Sequence, residues 1–213
     1  MPADTEIANM ALSRLGTRAT IADLTENSTE ARQISIWYET VRDDLQGMID
    51  WNFNRVTRSL SMSGTPPSRW AYSYAYPSDC LKVRRLDFGG WSWAWPDPTI
   101  PFEIASDGTN QFLYCNETVA EAVLLQRVTD PNRFSAPFVL TLADSLAAAV
   151  AYPITQKRDV AMQLQQVAAA RLEKAMADGA NEQGAQSRLP MAESQAVRGF
   201  DDSAPGWLEG GYR

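Results

Sequence analysis

The first quarter of the chain, residues 4–49, carries two amphipathic helix patterns in succession and ends at the bulky sequence Asp50-Trp51-Asn52-Phe53. In both patterns apolar residues recur at steps of three and four, the period of a helix with one buried face. Such faces are stable only when they pack against something else. This segment therefore indicates surfaces that pack against other elements, and it contains no arrangement of residues typical of a catalytic site.

The boundaries of these two helices follow from capping residues. Asp4 or Thr5 suits the start of the first helix, and Gly16 suits its end. Asn27 followed by Glu30 resembles a capping box and predicts the start of a longer second helix. The predicted apolar stripes are Ile7, Met10, Ala11, Leu12 and Leu15 in the first helix, and Ile34, Trp37, Tyr38, Val41, Leu45, Met48 and Ile49 in the second. The predicted polar face of the second helix carries Arg32, Glu39, Arg42, Asp43 and Gln46.

The pattern changes after Phe53, and the section that follows, residues 54–133, contains most of the prolines and aromatic residues. Short apolar runs bounded by turn residues predict strands there, and Asp107-Gly108 is a hairpin-turn signal between two of them. The predicted strands cover residues 55–62, 81–88, 101–105, 111–115 and 123–128.

Helical periodicity returns near Ala136, with Ser135 as cap and Pro137 in the first turn, and continues to a predicted break at Pro153. A last helix is predicted from about residue 159 to 177, ended by Gly179. These elements predict an α+β chain. Residues 1–53 and 134–178 are expected to form one antiparallel helix bundle, residues 54–133 a β-rich section with a tryptophan-rich loop, and residues 179–213 an extended C-terminal arm.

The composition argues against an enzyme. The chain has no histidine, which removes the commonest general base and zinc ligand. Cys80 and Cys115 are too few for a metal cluster, and a disulfide between them requires that their segments lie side by side. Asp43-Asp44 and Asp201-Asp202 are adjacent pairs, which on a helix point about 100° apart and do not form an acid/base dyad. No catalytic residue, metal or cofactor is expected.

The charge of the chain also limits its partners. A net charge of −7 argues against a protein that grips nucleic acid by its phosphates. The one dense basic spot is Lys82, Arg84 and Arg85. Strand alternation places Lys82 and Arg84 on one face and Arg85 on the other, and a salt-bridged surface is favoured there over a DNA site. The acidic N-terminus lacks signal-peptide order, and no run reaches the length of a membrane helix, so synthesis in the cytoplasm and no membrane partner are expected.

Two aromatic segments are candidate interfaces. If Trp91-Ser92-Trp93-Ala94-Trp95 is extended, alternation places its three indoles on one face. That face is open to three interpretations: a cover for the β section, an exposed tip that docks on another subunit, or a sugar-binding platform. From Gly179 onward the chain is polar with isolated anchors, and it is interpreted either as an arm that orders on a partner or as a disordered tail. The candidate anchors are Phe200, Trp207, Leu208 and Tyr212.

Several segments in collinear order resemble the head–tail adaptor proteins of tailed phages, the tail tubular protein A group. The residues 7–16 resemble the opening helix of that family, and residues 23–31 resemble the entry to its second helix. Asp50-Trp51-Asn52-Phe53 is similar to its Pro-Trp-Asn-Phe-like signature, with Asp50 where proline is frequent. The remaining matches are Tyr76-Pro77-Ser78-Asp79-Cys80-Leu81-Lys82-Val83, Val128-Thr129-Asp130-Pro131, and the alanine-rich residues 142–151 that lead to Pro153-Ile154-Thr155.

The resemblance implies a structural virion protein that assembles beneath the portal as a ring of about twelve copies. The ring joins the portal protein to the next tail component, a nozzle or tail hub, and double-stranded DNA passes through it without specific binding. Phe200, Trp207, Leu208 and Tyr212 are then the expected portal-side residues. Trp91, Trp93 and Trp95 are the expected tail-side or intersubunit residues.

Two other functions stay open beside the adaptor. The first is a carbohydrate-binding tail module that uses the face of Trp91, Trp93 and Trp95. The second is a cell-wall hydrolase, which is disfavoured because no carboxylate pair has usable spacing. The sequence leaves open the ring number, the tail type and the oligomeric state before assembly, for which a monomer is favoured.

Overall fold

The computed structural model describes residues 3–88, 100–118 and 120–182, and the fold is mixed α+β. The described residues form four helices and two small antiparallel sheets. The helices are α1 (Asp4–Arg14), α2 (Thr29–Met48), α3 (Ala136–Thr155) and α4 (Arg158–Glu182). The strands are β1 (Arg55–Ser59), β2 (Tyr72–Ala75), β3 (Cys80–Phe88), β4 (Phe102–Ser106), β5 (Gln111–Cys115) and β6 (Ala120–Gln126), and a single 3-10 turn covers Pro131–Arg133.

The helix α3 lies at the centre of the helical core. Its apolar residues are buried on several sides, and both α1 and α2 pack against it. By length and composition alone, α3 is also long and apolar enough to cross a membrane, although no apolar run of that length was predicted from the sequence. A buried core helix passes the same test, and α3 fits that description in this fold. α4 adds Ala161 and Ala175 to the same core.

An aromatic cluster connects the end of the first helical segment to the start of α3. The ring of Phe138 lies 5.2 Å from Trp51, 5.0 Å from Phe53 and 4.8 Å from Phe134, centroid to centroid. All three contacts are edge-on, the geometry that aromatic quadrupoles favour. The cluster explains why the chain is so bulky directly after α2: these rings fill the space where the chain leaves the helices for the β section.

The β section consists of two three-stranded sheets. Sheet A has the order β1-β6-β3 and sheet B the order β2-β5-β4, all antiparallel. The two sheets share one apolar core, to which each contributes the residues of one face. That core contains Tyr74, Val83, Leu86, Ile100, Leu113, Cys115, Ala122 and Leu124.

Five predicted strands correspond to observed ones, but β2 was missed and β1 is shorter than predicted. β2 is only four residues long, and its aromatic–serine sequence follows a proline pair, so it offered little periodicity. Met62, predicted as the end of the first strand, instead forms a single bridge to Tyr74. The predicted strand 55–62 is therefore divided: β1 belongs to sheet A, whereas Met62 pairs with a residue of sheet B.

Four predicted helix boundaries were wrong. Ser28, not Asn27, caps α2, because its side chain accepts a hydrogen bond from the Ala31 N–H at 3.2 Å. α3 continues through Pro153 to Thr155, and its C-cap Gln156 adopts a left-handed conformation with φ of 57°. α4 continues through Gly179 to Glu182. α1 begins at Asp4 with Ala3 in the cap position and no side-chain cap.

The predicted faces of α2 were also partly wrong. Trp37 is 40% exposed and Met48 is 44% exposed, although both were assigned to the apolar stripe. Arg42 and Gln46, assigned to the polar face, are buried. The buried face of α2 thus includes these polar residues, and Gln46 contacts the segment that enters from the β section.

Candidate interaction surfaces

A buried amide joins the helices to the β section. The side chain of Gln46, 0% exposed, donates a hydrogen bond to the Val128 carbonyl and accepts one from the Val128 N–H, both at 2.8 Å. Asn54 donates to the carbonyl oxygen of Gln46 at 2.9 Å. Together these bonds satisfy backbone groups of a connecting segment that no strand or helix would otherwise pair. We call Gln46, Asn54 and Val128 the junction.

Two ion pairs flank the junction. Asp43 lies 2.8 Å from the guanidinium of Arg127, just after β6, and Asp50 pairs with Arg84 of β3. Asp43 also contacts Arg42, its own neighbour on α2. Asp43 and Asp50 therefore each pair with an arginine in or just after a strand of sheet A.

A second buried polar group lies inside the helical core. Asp144 of α3 is 2% exposed and contacts Arg14 of α1 and Arg171 of α4, each at 2.9 Å. The Arg171 contact is an aligned hydrogen bond, whereas Arg14 faces the other carboxylate oxygen without hydrogen-bond alignment. Because a carboxylate in this position is stable only with its partners, it ties three helices together.

The two cysteines are free thiols packed in the β core. Burial raises the pKa of Cys80, and burial likewise raises the pKa of Cys115. A nucleophilic cysteine needs a lowered pKa, so both thiols are structural. Among the described residues, no group of three or more His, Cys, Asp and Glu side chains is placed to hold a metal ion.

The face of sheet A that points away from the β core carries charges in three cross-strand rows. Arg55 and Lys82 flank Leu125 in the first row, and Thr57 and Arg85 flank Val123 in the second. Directly paired residues of antiparallel strands share a face, so these side chains lie on one surface. The third row holds Ser59, Glu121 and Asp87. We call this surface the outer face.

The outer face corrects the prediction for the basic spot. Alternation was expected to place Lys82 with Arg84 and to separate Arg85 from them. A β-bulge between Val83 and Arg85 changes the register, so Lys82 and Arg85 share the outer face. Arg84 pairs with Asp50 instead. Sequence alternation cannot reveal a bulge, because the signal for one is an extra residue and not a residue type.

A shallow apolar groove of about 220 Å³ separates the start of α3 from the second half of α4. Leu140, which is 37% exposed, lies in it beside Pro137, and Arg171 and Lys174 form its charged wall. Exposed apolar side chains on the helices are Met10, Ile36, Trp37, Met48, Leu140, Tyr152, Met162, Val167 and Met176.

The residues predicted as interfaces lie outside the described residues. This holds for Trp91, Trp93 and Trp95 on the tail side and for Phe200, Trp207, Leu208 and Tyr212 on the portal side. Both sets therefore stay predictions. No protein-family model matches the chain, and no curated protein matches it.

Proposed function

We propose that this chain is a head–tail adaptor of a tailed phage. It assembles as a ring of about twelve copies beneath the portal protein and receives the next tail component. In this proposal the terminal helices form one antiparallel bundle, and residues 179–213 form the arm that reaches the portal. Residues Phe200, Trp207, Leu208 and Tyr212 anchor the arm, and Trp91, Trp93 and Trp95 contact the tail or a neighbouring subunit.

The observation that carries the proposal is the place of the motif residues in the fold. Trp51 and Phe53, from the Asp50-Trp51-Asn52-Phe53 motif, belong to the aromatic cluster at the end of α2. Val128, from a later motif, is the residue that Gln46 holds at the junction. Asp130, two residues on, caps the 3-10 turn through the Asn132 N–H at 3.0 Å. The residues that carry the resemblance therefore also fix where helices and sheets meet.

A further motif residue, Asp79, organises the edge of sheet A. Its carboxylate accepts two hydrogen bonds from Arg58, at 2.9 and 3.1 Å, and one from Gln126 at 2.8 Å. Its carbonyl oxygen accepts a bond from the Arg127 N–H at 2.7 Å. Three of these four contacts need a carboxylate, so an aspartate at this point of the Tyr-Pro-x-Asp-Cys motif supports the fold.

The chemistry of the described residues is compatible with a structural role. Asp43, Asp50, Asp79 and Asp144 are engaged in ion pairs, and both cysteines pack in the β core, so these groups resemble fold supports rather than catalytic groups. A structural adaptor needs surfaces for neighbours and a fold that holds them in place.

The test is mass photometry of the purified protein, alone and after mixing with its portal ring. The expected result is a monomer or small oligomer alone and a portal complex heavier by the mass of about twelve copies. Absence of any portal complex in low salt and in high salt would contradict the proposal. Glycan binding by a protein that ignores the portal would favour the carbohydrate-binding module instead.

Variants separate the arm from the rest of the protein. Truncation after Glu182 keeps α4 whole, which a cut at Gly179 would not. The truncated protein is expected to keep its helical circular dichroism and to lose portal binding, since the proposed anchors are gone. Trp207→Ala with Tyr212→Ala should weaken binding in the full chain, whereas Ser203→Ala in the same segment should not. Undiminished binding by the truncated protein would remove the arm from the proposal.

A further inference from the structure

We propose that the outer face of sheet A binds a second copy of this chain through charge complementarity between its two ends. One end of the face carries Arg55 and Lys82, and the other carries Glu121 and Asp87. The inference rests on the proposed function only for the idea that copies meet in a ring. The surface itself follows from strand register.

The distribution of charge on this face is the first argument. Arg55 and Lys82 pair with the same residue, Leu125, from opposite neighbouring strands, so both cations lie in one row. Two residues further along β6, Val123 stands between Thr57 and Arg85, and the next row along holds the two carboxylates. Strands rise about 3.3 Å per residue, so the charged ends lie roughly 13 Å apart, a little beyond one screening length in physiological salt.

The availability of these charges is the second argument. Among the residues that the structure describes, Arg55 and Lys82 form no ion pair, and both are exposed. Their neighbours Arg84 and Arg127 are already paired with Asp50 and Asp43. On the outer face itself Arg85 pairs with Asp87, so Glu121 is the carboxylate of the acidic end that forms no ion pair among the described residues. The basic end therefore keeps two charges for a partner, in a chain whose net charge is −7.

The presence of both signs identifies the partner. A nucleic acid presents negative charge along its whole length, so it would meet repulsion from Glu121 at the far end of the face, where Asp87 already neutralises Arg85. A second copy presents both signs, and each end of one face can meet the opposite end of the next. Complementary potentials of this kind set register and orientation more than they add affinity.

The expected contact is weak in isolation. The apolar residues in the middle of the face, Val123 and Leu125, are already buried, so little apolar surface is left to add affinity. Exposed charge pairs contribute little each and are screened by salt. Such a contact becomes stable when many copies are held together, because each further contact is then intramolecular.

The experiment is sedimentation velocity of the full chain over a wide concentration range, in low and high salt, with two charge-reversed variants. In the first variant, Arg55→Glu and Lys82→Glu make both ends acidic. In the second, Asp87→Lys and Glu121→Lys make both ends basic. The control is Lys157→Glu with Arg158→Glu, which makes the same charge change as the first variant at the exposed start of α4. Circular dichroism and thermal unfolding establish that each variant is folded.

The expected result is salt-sensitive self-association of the unaltered chain that weakens by about tenfold or more in each reversed variant. An equimolar mixture of the two variants should associate again, because acidic ends then meet basic ends. The Lys157→Glu, Arg158→Glu control should behave like the unaltered chain. Weaker association of the second variant, whose net charge is closer to zero than the −7 of the unaltered chain, is the result that a general effect of net charge cannot produce.

Three results would overturn the inference. The first is no self-association of the unaltered chain in low salt at the highest concentration reached. The second is equal association of the variants and the control, and the third is a mixture that fails to associate. Binding of a short DNA duplex that is lost only in the first variant would assign the face to phosphates. Loss of portal binding with intact complementation would leave this inference standing and remove the adaptor proposal.

Discussion

Around α3, residues from four helices meet in one continuous apolar core, whereas the β section divides its described strands between two small sheets that share a smaller core. The helical part is held by dense packing and one carboxylate, Asp144, that contacts arginines of α1 and α4. The β section depends more on groups at its margins: the junction, the Arg58–Asp79 pair and tight turns. The comparison indicates that side-chain packing contributes most of the stability of the helical core. The smaller β section depends more on contacts at its edges.

The largest effect is expected in the aromatic cluster. Phe138→Ala removes a ring that contacts three others, and it should lower the free energy of unfolding by about 3–5 kcal/mol. Chemical denaturation followed by circular dichroism measures this. Leu113→Ala in the β core is the counterpart, and its smaller cost would support the comparison. A loss below about 1 kcal/mol for Phe138→Ala would contradict the central role of the cluster.

The junction tests whether the two parts are coupled. Gln46→Ala leaves the buried N–H and carbonyl of Val128 without partners, which should cost about 2–4 kcal/mol. Hydrogen exchange should accelerate in sheet A more than in α3, because sheet A depends on the junction. Gln163→Ala, at an exposed position of α4, is the matched control and should change neither quantity. Uniform acceleration throughout the described chain would show that the junction does not separate the two parts.

A glycine beside sheet B tests packing at the margin. Gly64 has a φ of +74°, and an added Cβ would lie 2.9 Å from the ring of Phe112. Gly108 has a φ of +94° with open space around it, so it isolates the backbone strain alone. We expect Gly108→Ala to cost about 1–2 kcal/mol and Gly64→Ala about 2–3 kcal/mol. Equal thermal shifts for the two variants would show that Phe112 moves aside without cost.

The smallest expected effect is on the stability of the fold at low pH. The Arg58 guanidinium lowers the pKa of Asp79, whose ordinary value is 3.8. A lowered pKa in the folded state means that the pair stabilises the fold above about pH 4, and this stabilisation is lost as the pH falls through the lowered value. Both side chains are more than a third exposed, so screening limits the effect to less than about 1 kcal/mol. Arg58→Ala should flatten the stability profile between neutral pH and pH 3, and an unchanged profile would remove the pair from the acid response.

The sequence predicted the larger elements well and the polar contacts poorly. The periods of α1, α2 and α3 are long enough to be recognised, since apolar spacing repeats over several turns. The burial of Gln46 was not recognisable, because its partner Val128 lies far away in the chain. The shared face of Lys82 and Arg85 depends on a bulge, which has no residue signature. The basic spot lies among the described residues: its predicted alternation was wrong, whereas the predicted salt bridges are present at Arg84 and Arg85.

The order of the elements along the chain has a consequence for the newly made protein. α2 ends at Met48, and α3, against which both α1 and α2 pack, begins at Ala136. A ribosome adding about 5–20 residues per second needs on the order of ten seconds to reach that helix. During that time the apolar faces of the first two helices lack α3, their main packing partner, while the β section is being synthesised. We therefore expect the nascent chain to need chaperones that bind exposed apolar helices mainly before α3 is synthesised.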